Sequence, residues 1–145
     1  MQVQQQIQEI RAFNRFYTDL LGLLDNHLLN SDYSLAEARI LYEIYTGNQI
    51  SASDIIHKLY IDKGYLSRIL KKLEKQGLIS KRLSKVDARI SQLSLTADGL
   101  KIFHQLDNAS NQQIRSLISN MPLAKLNDLV KHMYSIMNLL KKAKG

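Results

Sequence analysis

Three helix-start signals crowd into residues 34–62, and they constrain the fold more than any bulk property. Ser34-Leu35-Ala36-Glu37 is a capping box: the serine hydroxyl is placed for the amide three residues on, and the glutamate for the serine's own amide. It opens a helix to about Thr46, where Gly47 offers a left-handed stop. Ser51-Ala52-Ser53-Asp54 repeats the device and starts a short helix with Ile55, Ile56 and Leu59 inward. Only Tyr60 and Ile61 then precede Asp62, an N-cap for a helix over about 63–76 that Gly77 ends. A short helix, a tight turn and a second helix make the helix-turn-helix pattern.

The second of these helices turns Leu66, Ile69, Leu70 and Leu73 to one face and leaves Lys63, Tyr65, Arg68, Lys71, Lys72 and Lys75 on the others. Two short β-branched or alternating runs follow, 79–83 and 90–95, with Leu93 and Leu95 on a common face. Between them lies a polar tip, Ser84-Lys85-Val86-Asp87-Ala88-Arg89, so the pair reads as a β-hairpin with a basic tip. Thr96, with Asp98 near the helix start, caps a helix to about Ser119 whose inward residues are expected to be Leu100, Phe103, Leu106, Ile114 and Leu117. Pro122 fits the first turn of a last helix striped by Leu123, Leu126, Val130, Met133, Met137 and Leu140. At the other end, apolar residues recur at Val3, Ile7, Ile10, Tyr17, Leu21, Leu24 and Leu28, which predicts one long first helix. With only 6 Gly and 1 Pro in 145 residues, the expected fold is mainly α, a helix-turn-helix with a two-stranded β wing between long flanking helices.

The chain carries 20 Lys and Arg against 13 Asp and Glu, a formal charge of +7. Residues 57–89 hold ten of those cations and three of the anions, so the whole excess belongs to the helix-turn-helix and its hairpin. A concentrated patch of this kind is the footprint of a polyanion-binding surface. The absence of cysteine excludes disulfides, thiolate metal sites and thiol-based sensing. The four histidines, at 27, 57, 104 and 132, form no i, i+4 pair, so no metal and no cofactor is expected. There is no Gly-rich phosphate loop, nucleophile elbow or paired His/Glu signature, which argues against an enzyme. Neither a signal-like N-terminus nor an apolar run approaching about 18 residues is present, so the reading is a cytoplasmic protein with no membrane partner.

Two runs carry a family resemblance: Leu73-Glu74-Lys75-Gln76-Gly77-Leu78-Ile79, and Asp87-Ala88-Arg89-Ile90-Ser91-Gln92-Leu93-Ser94-Leu95-Thr96-Ala97-Asp98-Gly99. With the order of elements around them they resemble the MarR family of bacterial transcriptional regulators, a winged helix-turn-helix family. In that family the first run ends the recognition helix and the second builds the wing and the start of the next helix. Ala88 stands where many members carry a second basic residue, which leaves Arg89 as the matching arginine. Three further runs, 10–17, 33–39 and 62–68, resemble the regulator half of proteins that fuse a MarR-like module to a GNAT acetyltransferase. The 145 residues are too few to include such an enzyme domain, and a stand-alone relative and a piece of a larger protein both stay open.

The major groove admits one α-helix, whose N-terminal side chains meet base edges while its flanks meet phosphates. Lys63, Tyr65, Ser67 and Arg68 are therefore expected near bases, and Lys71, Lys72 and Lys75 on phosphates. The resemblance implies that Arg89 enters the adjacent minor groove with Arg82 and Lys85 beside it. A salt bridge from Arg89 to Asp87 is equally open, and the aspartate could orient the arginine for DNA. The resemblance and the surplus apolar length of the flanking helices imply a homodimer, with 1–33 and 97–145 as dimerisation helices interwoven with a DNA-binding lobe at 34–96. Such a dimer would be a ligand-responsive repressor on a near-palindromic double-stranded DNA site. The resemblance also implies an effector pocket where these helices meet the lobe, with Phe13, Tyr17, His27, Arg39 and Tyr42 as candidates for a small phenolic or carboxylate ligand. The competing reading is a module that binds DNA or a protein without sequence preference.

Overall fold

The structure, a computed structural model, describes residues 2–22 and 31–144. Its elements in chain order are α1 (Val3–Leu21), α2 (Leu35–Thr46), α3 (Ala52–Leu59), α4 (Lys63–Lys75), β1 (Ile79–Leu83), β2 (Ser91–Leu95), α5 (Ala97–Ile118) and α6 (Leu123–Lys144). They fall into two compact units, residues 1–109 and 110–145.

Local chemistry sets the helix starts of the first unit. Ser34 Oγ accepts from the Glu37 amide at 3.1 Å while Glu37 accepts from the Ser34 amide at 2.9 Å. Ser51 and Asp54 form the same reciprocal pair at 3.1 and 3.0 Å. Asp62 accepts from the Tyr65 amide at 2.9 Å and opens α4. Between α3 and α4 the chain turns on Tyr60 in the left-handed region, φ 53°. The far end of α4 closes on Gly77 at φ 75°, with the Leu78 amide reaching back to the Leu73 carbonyl at 2.9 Å, a six-to-one closure that glycine makes without strain.

Several boundaries differ from the expectations. Gly47 is extended, φ −83°, and is no left-handed stop. A Cβ there would lie 2.7 Å from the Glu43 carbonyl oxygen and 2.9 Å from Ile50 Cβ, so close approach is what that position demands. The left-handed stop falls instead at Gly22, φ 65°, which ends α1 at Leu21; Leu24, His27 and Leu28 lie outside the described residues. Pro122 precedes α6 at its cap, its carbonyl accepting from the Leu126 amide at 3.0 Å. The second strand begins at Ser91, because the Ile90 carbonyl is taken by the Ser84 amide in closing the hairpin. Leu100 is exposed, and Gly99 holds the inward place at the start of α5.

One core organises the first unit. Ile40, Leu41 and Ile44 of α2, Ile55 of α3, and Leu66, Ile69, Leu70 and Leu73 of α4 pack with Ile79, Leu93, Phe103 and Leu106. Full burial of an aliphatic side chain stabilises by about 1.5–3 kcal/mol, so the α4 face alone holds the helix firmly to the core. β1 and β2 pair antiparallel, Ile79 opposite Leu95 and Leu83 opposite Ser91, and Ser51 adds a single bridge to Gln92. By contrast no residue of α1 is buried. Within 110–145, the stripe positions Leu123, Val130, Met133, Met137 and Leu140 are exposed, as are Ile114 and Leu117. No helix among the described residues is long and apolar enough to cross a membrane.

Candidate nucleic-acid interface

α4 is built so that its cations must face outward. Its buried residues, 66, 69, 70 and 73, occupy one stripe, and at 100° per residue the opposite meridian is taken by Gly64, Arg68, Lys71 and Lys75. Tyr65 and Lys72 share one flank; Lys63, Ser67 and Glu74 share the other. Among the described residues, Lys63, Arg68, Lys71 and Lys75 make no ion pair, and all four are exposed. The Arg68 guanidinium lies over the Tyr65 ring, 5.9 Å from its centroid, which orients a planar donor group at the helix surface.

Lys72 behaves differently. Its ammonium is 2.8 Å from a carboxylate oxygen of Glu37, whose side chain is only 7% exposed. A second buried glutamate of α2, Glu43, holds Lys58 of α3 and Arg39, each at 2.9 Å. The sequence marked Glu37 only as the capping-box acceptor, not as a partner of Lys72, and did not single out Glu43. A signal was available for Glu43, which sits between Leu41 and Ile44 on the apolar stripe of α2; for Lys72 there was none, since its partner is 35 residues away. Burial pushes the Glu43 carboxyl up, but the Lys58 and Arg39 cations outweigh it and hold it below the ordinary glutamate value. Glu37 is likewise raised by burial and brought below its ordinary value by Lys72 and Ser34. A carboxyl with a depressed folded-state value contributes stability above its unfolded value and loses it as the pH falls through the folded one. Thermal stability is therefore expected to decline below the ordinary glutamate range, and Glu43→Gln to decline less steeply there. Melting curves between about pH 3 and pH 7 check this, with parallel pH dependences as the contrary result.

The wing tip is tightly turned, with Ser84 Oγ accepting from the Val86 and Asp87 amides, both at 3.2 Å. Arg89 forks onto Asp87: Nε and Nη2 each donate at 3.0 Å, one to either carboxylate oxygen, and the Arg89 backbone amide adds a third bond at 3.1 Å. The arginine side chain is nonetheless 90% exposed, so the aspartate fixes its base while its outer edge faces solvent. The same contact holds the Asp87 carboxyl below its ordinary value. Arg82 lies opposite Gln92 in the ladder, on the face where Ser80 and Ser94 bond at 3.0 Å, and Lys85 stands at the tip; neither makes an ion pair among the described residues.

The effector candidates form two separate stacks. Phe13 and Tyr17 lie parallel one turn apart on α1, centroids 5.8 Å apart, and Arg39 lies 6.0 Å from the Tyr42 ring centroid on α2. Arg39 also lines a cavity of about 370 Å³ with Leu35, Ala36, Ile40, Leu59 and Ile61, none of which was in the predicted group.

A basic helix seated on a buried face, preceded by a short helix and followed by a hairpin with an arginine at its tip, defines a winged helix-turn-helix DNA-binding protein. The model of the MarR family matches residues 33–91. The chain is 28% identical over 110 residues to the HTH-type transcriptional regulator SarZ of Staphylococcus haemolyticus, covering 75% of each. It is 36% identical over 77 residues to the organic hydroperoxide resistance transcriptional regulator of Bacillus subtilis, covering 53% of this chain and 50% of that one. Its fold matches the crystal structure of Streptococcus pneumoniae FabT in complex with DNA at a TM-score of 0.79 and 21% identity, over 94% of this chain and 98% of that one. Over residues 33–91 the chain is similar to the MarR family, and its fold is the MarR-type winged helix-turn-helix.

Proposed function

We propose that the protein is a ligand-responsive repressor that binds a near-palindromic DNA site as a homodimer. The observation that carries the DNA reading is the outer meridian of α4, where Arg68, Lys71 and Lys75 are exposed and make no ion pair among the described residues, on a helix whose other face is locked into the core. In this reading Arg68, with Lys63, Tyr65 and Ser67, meets base edges, and Lys71 and Lys75 meet phosphates. Arg89, braced by Asp87, enters the minor groove, with Arg82 and Lys85 on the flanking backbone. The solved relative FabT, whose structure is described as a complex with DNA, supports the same use of the fold.

The dimer is supported by apolar surface that is exposed among the described residues. Val3, Ile7 and Ile10 on α1 and Leu123, Val130, Met137 and Leu140 on α6 are all exposed, at helical spacing. Burying such stripes against a twofold mate would set two recognition helices about one DNA turn, roughly 34 Å, apart. The pairs Phe13–Tyr17 and Arg39–Tyr42 are the groups to which a small phenolic or carboxylate effector would bind. A ligand that changed the spacing of the two lobes would weaken DNA binding without touching a base contact.

Selection from a randomised duplex library tests the reading. The expected outcome is a site with dyad symmetry and half-sites about 10 base pairs apart. Selected sequences without symmetry would contradict the dimer, and no enrichment would favour the non-specific module.

A further inference from the structure

We infer that Lys72, although it belongs to the cationic helix, is a positioning residue that fixes the rotation of α4 through the buried carboxylate of Glu37 and does not contact phosphate. The inference rests on the DNA-binding reading of α4. Lys72 Nζ lies 2.8 Å from Glu37 Oε2. The other oxygen, Oε1, accepts from the Ser34 amide at 2.9 Å, so both ends of the carboxylate are engaged and it cannot follow the lysine outward. For Lys72 to reach a phosphate, Glu37 would have to remain behind as a buried, uncompensated charge, a costly arrangement.

The rotation of α4 needs such a device. Its apolar face packs by contact area, which is non-directional, whereas a turn of about 20° about the helix axis would move the side-chain tips by about 2 Å. Directional restraint has to come from the flanks. On one flank stands Lys72–Glu37. On the other stands Lys81–Glu74, at 3.8 Å with both side chains more than two-fifths exposed, a weak pair. Lys58 with Glu43 supplies the matching tether for α3. The two buried glutamates of α2 thus hold both helices of the helix-turn-helix, each by one lysine.

The test measures affinity of the full chain for the selected duplex over about 50–300 mM salt, with Lys71→Met as the reference phosphate variant. Lys71→Met is expected to lower the slope of log affinity against log salt by about 0.9. Lys72→Met is expected to keep the wild-type slope yet lose about 3- to 30-fold in affinity, with Lys72→Arg restoring most of it. Glu37→Gln keeps the cap acceptor and frees Lys72; it is expected to lose affinity as Lys72→Met does. A slope lowered by about 0.9 in Lys72→Met would overturn the inference. So would unchanged affinity in that variant, or a gain of affinity in Glu37→Gln. If Lys72→Met does not fold, the sign of the Glu37→Gln effect decides alone. Wild-type protein that binds no duplex would instead be a failure of the DNA-binding reading, and is seen separately.

Discussion

Arg68→Ala is expected to lower discrimination between the selected site and random duplex by about 1–3 kcal/mol at the base it reads, while affinity for random sequences changes much less. The residue is placed for it in three ways. It stands at the centre of the outer meridian of α4, opposite the buried stripe. Its guanidinium makes no ion pair among the described residues and is held over the Tyr65 ring, so the donor plane is set before DNA arrives. One turn earlier Gly64 has no side chain, and a Cβ there would meet Asp62 Oδ2 at 3.3 Å and an Arg68 terminal nitrogen at 3.6 Å, so the glycine leaves the guanidinium its room. Arg68→Lys is not expected to restore the preference, because an ammonium cannot make a two-point contact with guanine. Uniform weakening on every sequence, with a flatter salt dependence, would show instead that Arg68 meets a phosphate and that the helix lies rotated in the groove.

The largest effect on folding is expected from Gly99→Ala. A Cβ at Gly99 would fall 1.9 Å from the carbonyl oxygen of Leu78 and 2.9 Å from its carbon, both backbone atoms that cannot rotate away. Relief is blocked by the bonds that staple the start of α5 to the end of α4. The Thr96 amide donates to that same Leu78 oxygen at 3.0 Å, the Thr96 hydroxyl donates to the Gly77 carbonyl at 2.6 Å, and the Gly99 amide donates to the Thr96 hydroxyl at 3.0 Å. Forcing these segments apart should cost about 3 kcal/mol or more, read as a melting temperature lower by about 10 °C. A variant melting within about 2 °C of wild type would show that the junction is looser than described.

What the sequence revealed divides along the same line as these two residues. Caps are local, so Ser34–Glu37, Ser51–Asp54 and Asp62 announced three helices correctly, and the stripe 66, 69, 70, 73 identified the buried face of α4. Gly99 belonged to the family-like run, yet its reason, a carbonyl 21 residues earlier in the chain, is tertiary. Gly47 and Gly22 make the same point: both are glycines at helix ends, but one is required by crowding and the other by a positive φ, which spacing cannot distinguish.

Charge counting had a similar limit. Of the +7 in residues 57–89, Lys58 and Lys72 are matched by Glu43 and Glu37 outside the segment, which leaves +5 facing a polyanion. The wing is the opposite case, because Asp87 and Arg89 are two residues apart and both expected roles of the arginine fit one geometry. The exposed stripes of α1 and α6 were legible as apolar periodicity, but periodicity does not say what packs against a stripe.

A sequence-reading protein must tell its own site from other DNA. The most direct test is competition between the selected duplex and random duplex of equal length at physiological salt. A preference of at least about 10³ for the selected site is expected. Equal affinity for the two would contradict sequence reading and leave a basic module that binds DNA by charge alone.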